Sequence, residues 1–198
     1  MINVLLAGVG GQGTVLAAKV LAQAAQNKGW QVRTAETIGM AQRGGNVTSH
    51  VRMGSGGEEV HAPLLTPASA DLIIAFEPGE AARALTYLAP TGVLVTAETA
   101  VQPVTAALSQ QAYRASDVLE GIQQALPQTA RLVAVNDSEL LKQVGNRKAL
   151  NTVLLASAIA QNCIPLSVDD LKQVIAACVK PQFVEMNLSA IDTVVQNL

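Results

Sequence analysis

The sequence has 198 residues, of which 49% are apolar and only 14% are charged, and its formal net charge is −2. This length fits one domain with a sizeable core, and the charge argues against nucleic-acid binding, which needs a basic surface to displace counterions. No run of about 18 apolar residues occurs, so the sequence predicts no membrane-spanning segment, and we expect a cytoplasmic protein.

The first part of the chain predicts a strand–helix–strand unit. Residues 2–7 form a short apolar run that stops at glycine, which is typical of a buried strand. Apolar side chains then recur at helical spacing from Val15 to Ala25, and Gly29 follows as a stop signal. Residues 31–36 predict the second strand, which completes a βαβ unit that is expected to cross over right-handed.

The middle of the chain predicts strands that alternate with helices. We expect strands at 46–53, 71–76, 92–97 and 130–136, a short partner strand at 59–62, and helices at 78–88 and 117–126. Pro78 opens the first of these helices, where its missing N–H is not needed. Asp137 follows the last strand and is expected to cap the element after it.

The last quarter of the chain is helical in its pattern. Helices are predicted at 147–162, 168–178 and 183–197, with Pro165 and Pro181 at the breaks. Together the elements predict an α/β, Rossmann-like fold, in which helices flank a mostly parallel sheet and the C-terminal part is helical. We expect a single domain over 1–198, with the sheet core in 1–145 and the C-terminal helices in 146–198.

The metal-ligating residue types are too few and too scattered for a metal centre. An iron–sulfur cluster normally needs four thiolates at close spacing, and a structural zinc site needs cysteine and histidine in pairs. Cys163 and Cys178 cannot assemble either site with His50 and His61. We therefore expect buried structural thiols, a structural role for His50, and no metal or cluster bound by this chain.

The glycine turn after the first strand is the first candidate ligand site. Gly8, Gly10 and Gly13 fit the pattern G-x-G-x-x-G between a strand and a helix, with Gly11 and Gln12 at the variable positions. Such glycines let a phosphate approach the backbone, and the helix N-terminus offers it free N–H groups. A turn that only packs a helix on a strand needs the same glycines, so both interpretations stay open.

Further candidate groups lie at the predicted strand ends. Glu36 ends the second strand, where dinucleotide-binding proteins hold a ribose hydroxyl with a carboxylate. The loop that follows ends with Gln42, Arg43, Gly44 and Gly45. The guanidinium of Arg43 stands among glycines and can reach a ligand or a partner, and we expect this loop beside the glycine turn, at the carboxyl ends of neighbouring strands. Glu77 follows the strand 71–76 and is either a site group or a cap for the next helix.

Taken together, these motifs resemble the gamma-type domain of the 2-oxoacid:ferredoxin oxidoreductases, and among them particularly the beta subunit of indolepyruvate oxidoreductases. The resemblance rests on Gly8–Gly13, Ala35–Thr37, Gln42–Gly45, His50–Arg52, Ser69–Leu72, Phe76–Glu77, Asn146–Asn151 and Phe183–Leu188. It therefore covers almost the whole chain, and the joint spacing is far more specific than any one motif.

The resemblance implies a subunit without redox cofactors in an enzyme that decarboxylates a 2-oxoacid on thiamine diphosphate. Electrons would pass through iron–sulfur clusters to ferredoxin, and the acyl group to coenzyme A. Thiamine diphosphate and the clusters are expected in a larger catalytic partner subunit, with coenzyme A as a candidate shared ligand. The glycine turn, Glu36, the Arg43 loop and Glu77 are candidate contacts with coenzyme A or with the partner. No catalytic residue is predicted.

Several alternatives stay open at this stage. Pyruvate, 2-oxoglutarate and branched-chain 2-oxoacids compete with indolepyruvate as the substrate. A stand-alone NAD(P)-binding Rossmann oxidoreductase would use the glycine turn, but no catalytic His, Lys or Tyr is evident. A non-catalytic binding module would have kept the fold without the enzyme. An adenylating enzyme with a G-x-G-G-x-G turn would need a reactive cysteine or a cysteine-bound zinc, and neither is evident.

Overall fold

The computed structural model describes residues 1–39, 45–101 and 113–197, and it shows the α/β fold that the sequence predicts. The strands are β1 (Ile2–Val9), β2 (Gln31–Ile38), β3 (Asn46–Gly54), β4 (Ala70–Ala75), β5 (Leu88–Ala97) and β6 (Arg131–Val135). The helices are α1 (Thr14–Asn27), α2 (Pro78–Ala84), α3 (Ala115–Ala125), α4 (Asp137–Val144), α5 (Leu150–Ala160), α6 (Val168–Cys178) and α7 (Val184–Gln196). Short 3₁₀ helices at Leu85–Tyr87, Arg147–Ala149 and Pro181–Phe183 precede β5, α5 and α7.

The six described strands form one sheet in the order β2-β3-β1-β4-β5-β6. The pairs β1–β4, β4–β5 and β5–β6 are parallel, whereas β3 is antiparallel to both β1 and β2. The prediction of a mostly parallel sheet is therefore confirmed. The two strands of the βαβ unit, however, do not lie side by side, because β2 pairs with the strand that follows it in the chain and β3 takes the place next to β1.

Helices cover both faces of this sheet. Val4 and Leu6 of β1 pack on the face that α1, α4, α5, α6 and α7 cover, and Leu5 and Ala7 pack on the opposite face with α2 and α3. Helix α5 is buried over nine of its eleven residues, as expected for a helix that is apolar all round. No helix among the described residues is long and apolar enough to cross a membrane.

Two predictions about the segments near β3 and β5 are wrong. Residues 59–62 form no strand, because side chains hold them: the N–H of Val60 donates to Gln31 Oε1 at 3.1 Å, and Arg52 Nη1 donates to the carbonyl of Ala62 at 2.8 Å. The helix at 78–88 ends at Ala84, and β5 begins four residues before the predicted Gly92, with a register shift in its pairing to β4.

The cap of α4 is Asn136, one residue before the one predicted. Its Oδ1 accepts a hydrogen bond from the N–H of Glu139 at 3.1 Å. Asp137 is buried and accepts from the N–H of Thr99 at 2.9 Å, so it joins the start of α4 to the segment after β5. The short helix α4 itself was not predicted.

Candidate functional site

The glycine turn joins the end of β1 to the start of α1. Gly11 and Gly13 have φ angles of 98° and 85°, a left-handed backbone that residues with a Cβ rarely adopt. A Cβ on Gly8 would lie 2.8 Å from Gln12 Oε1 and 2.9 Å from Thr14 Oγ1. Gly8, Gly11 and Gly13 are therefore needed for close approach or backbone shape, whereas a Cβ on Gly10 would meet only the carbonyl of Gly45, at 3.8 Å.

The side chain of Gln12 turns inward and closes this turn. Its Oε1 accepts a hydrogen bond from the N–H of Val9 at 2.8 Å, and its Nε2 donates to the carbonyl of Phe76 at 3.3 Å. One amide thus ties the end of β1 to the end of β4. This role accounts for glutamine at position 12 without a ligand, so its predicted contact with a ligand or partner stays a prediction.

Gly13 brings the start of α1 against the start of α5. A Cβ on Gly13 would lie 3.0 Å from Asn151 Nδ2. Asn151 is the second residue of α5 and is only 5% exposed. The third glycine of the pattern therefore serves packing between two helices, in addition to its left-handed backbone.

The end of the loop that precedes β3 lies beside the glycine turn, as predicted, but for a different reason. The N–H of Gly10 donates to the carbonyl of Gly45 at 2.9 Å, and Val9 faces Asn46 in the register of β1 and β3. The contact comes from the start of the antiparallel β3 and not from the end of a neighbouring parallel strand. Gln42, Arg43 and Gly44 lie outside the described residues, so their predicted roles stay predictions.

Glu36 does not join the glycine turn. Its register partner in β3 is Ser49, and the register partner of Ser49 in β1 is Leu6, so two strand spacings, roughly 10 Å, separate Glu36 from β1. The side chain of Glu36 is exposed. β3 therefore separates this carboxylate from β1, and the contact with a ligand or a partner that the sequence predicts for Glu36 stays a prediction.

Glu77 caps α2 with one carboxylate oxygen, and its other carboxylate oxygen has no hydrogen-bond partner among the described residues. Its side chain is buried, with Oε1 accepting the N–H of Glu80 at 2.9 Å, so the capping interpretation is confirmed. Its Oε2 and the hydroxyl of Tyr113 are both buried and have no hydrogen-bond partner among the described residues. The two groups lie close together, because a Cβ on Gly79 would be 2.7 Å from the Tyr113 hydroxyl and 2.9 Å from Glu77 Oε1.

A shallow groove of about 310 Å³ opens on the glycine turn, with Thr14 at its base. Thr14 is 3% exposed, and its Oγ1 has no hydrogen-bond partner among the described residues. No side chain caps the start of α1. Buried hydroxyls are nearly always hydrogen-bonded, and an uncapped helix start offers free N–H groups to an anion. This groove therefore suits an anionic oxygen.

The same edge of the sheet exposes apolar side chains. Val15, Ile38 and Val101 are 44%, 66% and 46% exposed, and they make up three of the six large apolar residues that are exposed in the described part of the chain. Ile38 faces Val47 in the register of β2 and β3, and Val47 faces Gly8 in that of β3 and β1. Exposed apolar side chains on several elements thus lie along this edge of the sheet, as at a surface that another chain covers.

His50 and the cysteines have no place in this site. His50 is buried, its Nδ1 accepts the N–H of Leu65 at 3.2 Å, and burial lowers its pKa, which is the structural role that the sequence predicts. Cys163 and Cys178 are free thiols. Both are half-buried, whereas the sequence predicts that they are buried. Among the described residues, no three or more His, Cys, Asp or Glu side chains come together as a metal site.

Thr14 and Asn151 are the two residues of this region that sequence reasoning missed. A threonine and an asparagine at helix starts are ordinary capping residues, so only the packing shows that neither of them caps its helix. The signal that was available is position: Thr14 follows the last glycine of the turn directly.

Comparison with known proteins yields one family over nearly the whole chain. Residues 3–197 match the family pyruvate ferredoxin/flavodoxin oxidoreductase. The indolepyruvate oxidoreductase subunit IorB of Archaeoglobus fulgidus is 33% identical over 190 residues, which cover 96% of this chain and 92% of that protein. The subunit of the same name from Pyrococcus horikoshii is 33% identical over 192 residues, with the same coverage of 96% and 92%.

Two solved structures share the fold. The gamma subunit of a keto/oxoacid ferredoxin oxidoreductase from Geobacter sulfurreducens superimposes with a TM-score of 0.70 at 22% identity, over 99% of this chain and 97% of that chain. A 2-oxoglutarate:ferredoxin oxidoreductase from Magnetococcus marinus gives a TM-score of 0.71 at 19% identity. It matches 100% of this chain with 31% of its own.

Proposed function

Because the chain belongs to the pyruvate ferredoxin/flavodoxin oxidoreductase family, we propose that it is the small subunit of an indolepyruvate oxidoreductase. It is a subunit of a 2-oxoacid:ferredoxin oxidoreductase complex. In this proposal a larger catalytic subunit carries thiamine diphosphate and iron–sulfur clusters and passes electrons to ferredoxin. The present chain binds none of these groups and completes the surroundings of the active site.

One observation carries this proposal. The chain and the indolepyruvate oxidoreductase subunits correspond from end to end, at one third identity. A correspondence of that extent spans nearly the whole of both chains, whereas a shared fold alone would not require one third of the residues to be identical. It supports indolepyruvate over pyruvate, 2-oxoglutarate and branched-chain 2-oxoacids as the substrate.

The carboxyl edge of the sheet is the surface that we assign to the larger subunit. Ile38 and Val15 expose apolar area at this edge, and a bond between Gly10 and Gly45 holds the end of the loop against the glycine turn. Burial of such side chains is what stabilises association between subunits. The loop that contains Arg43 ends at Gly45, which is bonded to Gly10 at this edge, so the larger subunit or its ligand is the partner that we propose for Arg43.

Coenzyme A is the ligand that we propose for the glycine turn. One of its phosphates fits three features of the turn: the N–H groups at the start of α1, the backbone of Gly10 and Gly11, which carries no side chains, and the unpartnered hydroxyl of Thr14. Coenzyme A accepts the acyl group in this reaction class. In this proposal the present chain binds and orients coenzyme A. The structure of the Magnetococcus enzyme has coenzyme A bound.

The experiment that tests the assignment is purification of the tagged chain from its native cells. We expect a larger chain with thiamine diphosphate and iron to co-purify, and the preparation to reduce a viologen dye faster with indolepyruvate than with pyruvate, 2-oxoglutarate or a branched-chain 2-oxoacid. A partner without these cofactors would overturn the proposal and favour a non-catalytic module. A lone chain that turns over NAD(P)H would favour the stand-alone Rossmann oxidoreductase. The position of Glu36, two strands from β1, argues against that alternative.

Arg43 offers a second test of the same assignment. Exchange of Arg43 for alanine is expected to lower holoenzyme activity while the isolated chain stays folded, because a glycine-flanked guanidinium acts on a ligand or a partner. Unchanged activity of the reconstituted enzyme would remove Arg43 from the proposal without affecting the choice of substrate.

A further inference from the structure

The outer edge of β2 is exposed and pairs with no strand among the described residues. β2 is the last strand on its side of the sheet, and six of its eight residues are exposed. It contains no proline or glycine, and it pairs with β3 without a bulge from Gln31 to Ile38. The opposite edge strand, β6, has only five residues. A long, regular edge is a template for pairing with a further strand, and proteins usually protect it.

The pairing with β3 shows which backbone groups β2 presents outward. The N–H of Gly39 donates to the carbonyl of Asn46 at 2.8 Å, and the register continues from this pair along the whole strand. Because bonded and non-bonded residues alternate in an antiparallel pair, the odd-numbered residues of β2 are the ones that bond β3. The outward N–H and C=O groups belong to Val32, Thr34, Glu36 and Ile38. None of these groups bonds another element in the part of the chain that the structure describes.

We propose that β2 pairs with β2 of a second copy of this chain, antiparallel, about a two-fold axis perpendicular to the sheet. Outward groups must face each other, and paired side chains must lie on one face, so even-numbered residues must pair with even-numbered residues. Val32 then faces Ile38 of the second copy, and Thr34 faces Glu36 of the second copy. With the symmetric pairs, the two strands exchange about eight hydrogen bonds.

The side chains favour this register over its neighbours. It joins Val32 to Ile38, which is 66% exposed in the single chain, at both ends of the contact. Ala35 faces itself at the axis, in a non-bonded pair whose Cα atoms are only about 4.5 Å apart, so a small side chain suits this position. A shift of two residues in one direction would place Glu36 opposite itself, and in the other direction Val32 opposite Glu36. Like charges that face each other destabilise a sheet.

The charges of β2 and the helix beside it leave room for a second copy. Arg33 and Glu36 are the two charged residues of the strand, and their charges cancel. Helix α1 lies over β3, so the α1 helices of two copies would be three strand spacings apart, roughly 14 Å. Packed helices need only about 8–10 Å. The two copies then form one sheet, to which each contributes six described strands.

This pairing does not depend on the function proposed above. Its hydrogen bonds run along the length of β2, whereas the larger subunit is assigned to the carboxyl edge of the sheet. Ile38 stands at the corner where the two surfaces meet. Tests at Thr34 and Ala35, in the middle of the strand, therefore leave the carboxyl edge unchanged.

Disulfide cross-linking tests the pairing and its register. Ala35→Cys brings two thiols together across the axis, at a Cα separation that a disulfide can span, so mild oxidation should yield a covalent dimer in a non-reducing gel. Thr37→Cys is the matched control, because it lies on the same face but opposite Arg33 of the second copy. It should cross-link no more than the unsubstituted chain, in which Cys163 and Cys178 set the background. Equal cross-linking of both variants, or none above background in Ala35→Cys, would contradict the proposal.

Variants of Thr34 test the outward hydrogen bonds by sedimentation equilibrium. Thr34→Pro removes an N–H that β3 does not use, and an edge strand tolerates proline there. Two bonds are lost from each dimer, so its dissociation constant should rise about tenfold or more. Thr34→Ala keeps the N–H and should change the constant by about twofold at most. A chain that is monomeric at micromolar concentration, or equal constants in these two variants, would overturn the proposal.

A charge pair at the same position keeps the test decisive if the proline variant fails to fold. Position 34 faces Glu36 of the second copy, so Thr34→Lys should strengthen the dimer and Thr34→Glu should weaken it. Circular dichroism checks that both variants are folded. Equal dissociation constants for the two, or the reverse order, would mean that the copies do not meet in this register.

Cross-linking in the purified complex distinguishes a second copy from a strand of the larger subunit. We expect Ala35→Cys chains to join each other there as they do in isolation, and Thr34→Pro to retain the larger subunit. Loss of the cross-link in the complex would refute the pairing, because the larger subunit would then cover this edge. If the larger subunit did not co-purify with the unsubstituted chain, the proposed function would fail and the pairing would not.

Discussion

The side-chain nitrogen of Asn151 lies 3.0 Å from the point that a Cβ on residue 13 would occupy. The first turns of α1 and α5 therefore meet at a glycine that has no space for a side chain and a φ of 85°. The candidate site adjoins this contact, because Gly13 also lines the groove on the glycine turn.

Gly13→Ala should destabilise the fold more than the same change at Gly29. Gly29 also has a positive φ, of 79°, but has nothing within 4 Å of an added Cβ. Backbone strain alone should cost about 1–2 kcal/mol at either position, and displacement of Asn151 should add about 1–2 kcal/mol at position 13. Urea denaturation measures both losses. Equal losses would mean that Asn151 moves aside freely.

Substitutions of Gln12 should lower the unfolding free energy by graded amounts, because its side chain bridges the ends of β1 and β4. Gln12→Leu leaves the N–H of Val9 and the carbonyl of Phe76 without this partner and should cost about 1–3 kcal/mol of unfolding free energy. Gln12→Glu keeps an acceptor for Val9 and should cost less. Gln23→Leu, which removes only an exposed hydrogen bond to Asn27, should stay within about 0.5 kcal/mol. A loss at Gln23 as large as that at Gln12 would contradict a closing role for the bridge.

His50 should make stability depend on pH in the acidic range. Burial lowers its pKa, so the folded chain binds this proton less readily than the unfolded chain does. The stabilisation is complete above the ordinary histidine pKa of about 6.5 and is lost as pH falls from there through the lowered value. Chemical denaturation between about pH 5 and 7.5 should show this slope. It should diminish in His50→Asn, which keeps an acceptor for Leu65, and persist in His61→Asn, since His61 is exposed.

Arg83 should matter because Glu80 is buried. Burial raises the pKa of Glu80, the guanidinium of Arg83 opposes that rise, and the Glu80 side chain is only 3% exposed. Arg83→Met should cost about 1–2 kcal/mol at neutral pH, less than for a fully buried pair because Arg83 itself is 65% exposed. The loss should shrink as pH falls and Glu80 is protonated. Adding Glu80→Gln should restore part of the stability, and failure to do so would show that Arg83 acts through packing.

Ile38→Glu should weaken association with the larger subunit. Ile38 is 66% exposed at the carboxyl edge, and a buried charge there would remain unpaired. Leu64→Glu is the matched control, since Leu64 is 55% exposed in the segment that leads into the amino end of β4. Co-purification of the larger chain should fall for Ile38→Glu alone, with both variants equally stable. If both changes reduced it equally, the carboxyl edge would not be the specific contact.

Local patterns predicted most of the elements, and long-range pairing accounts for what they missed. Helix 168–178 was predicted to the residue from its apolar repeat and from the prolines at the breaks, and the structure adds a capping box of Ser167 and Asp170 at its start. The place of β3 between β1 and β2 depends on which strands pair, and no local pattern contains that information. Glu36 was assigned to the site for this reason.

In the candidate site, too, the local features were predicted and the long-range contacts were not. The glycine turn was predicted because the spacing G-x-G-x-x-G stands between a strand and a helix, and Gly11 and Gly13 do have a positive φ. The partner of Gln12 is the carbonyl of Phe76, 64 residues along the chain, so its inward orientation could not be read from the sequence. The unpartnered hydroxyl of Thr14 and the contact of Asn151 with Gly13 likewise depend on neighbours from several elements.

The hairpin of β2 and β3 fixes both ends of the segment that joins them. The N–H of Gly39 donates to the carbonyl of Asn46 at 2.8 Å, and Gly45 is bonded to Gly10. Insertions or replacements between these anchors leave the sheet register and the core unchanged. The length and sequence of this segment can therefore vary while the bonds at Gly39 and Gly45 are kept, and we expect such variants to retain the stability of the sheet.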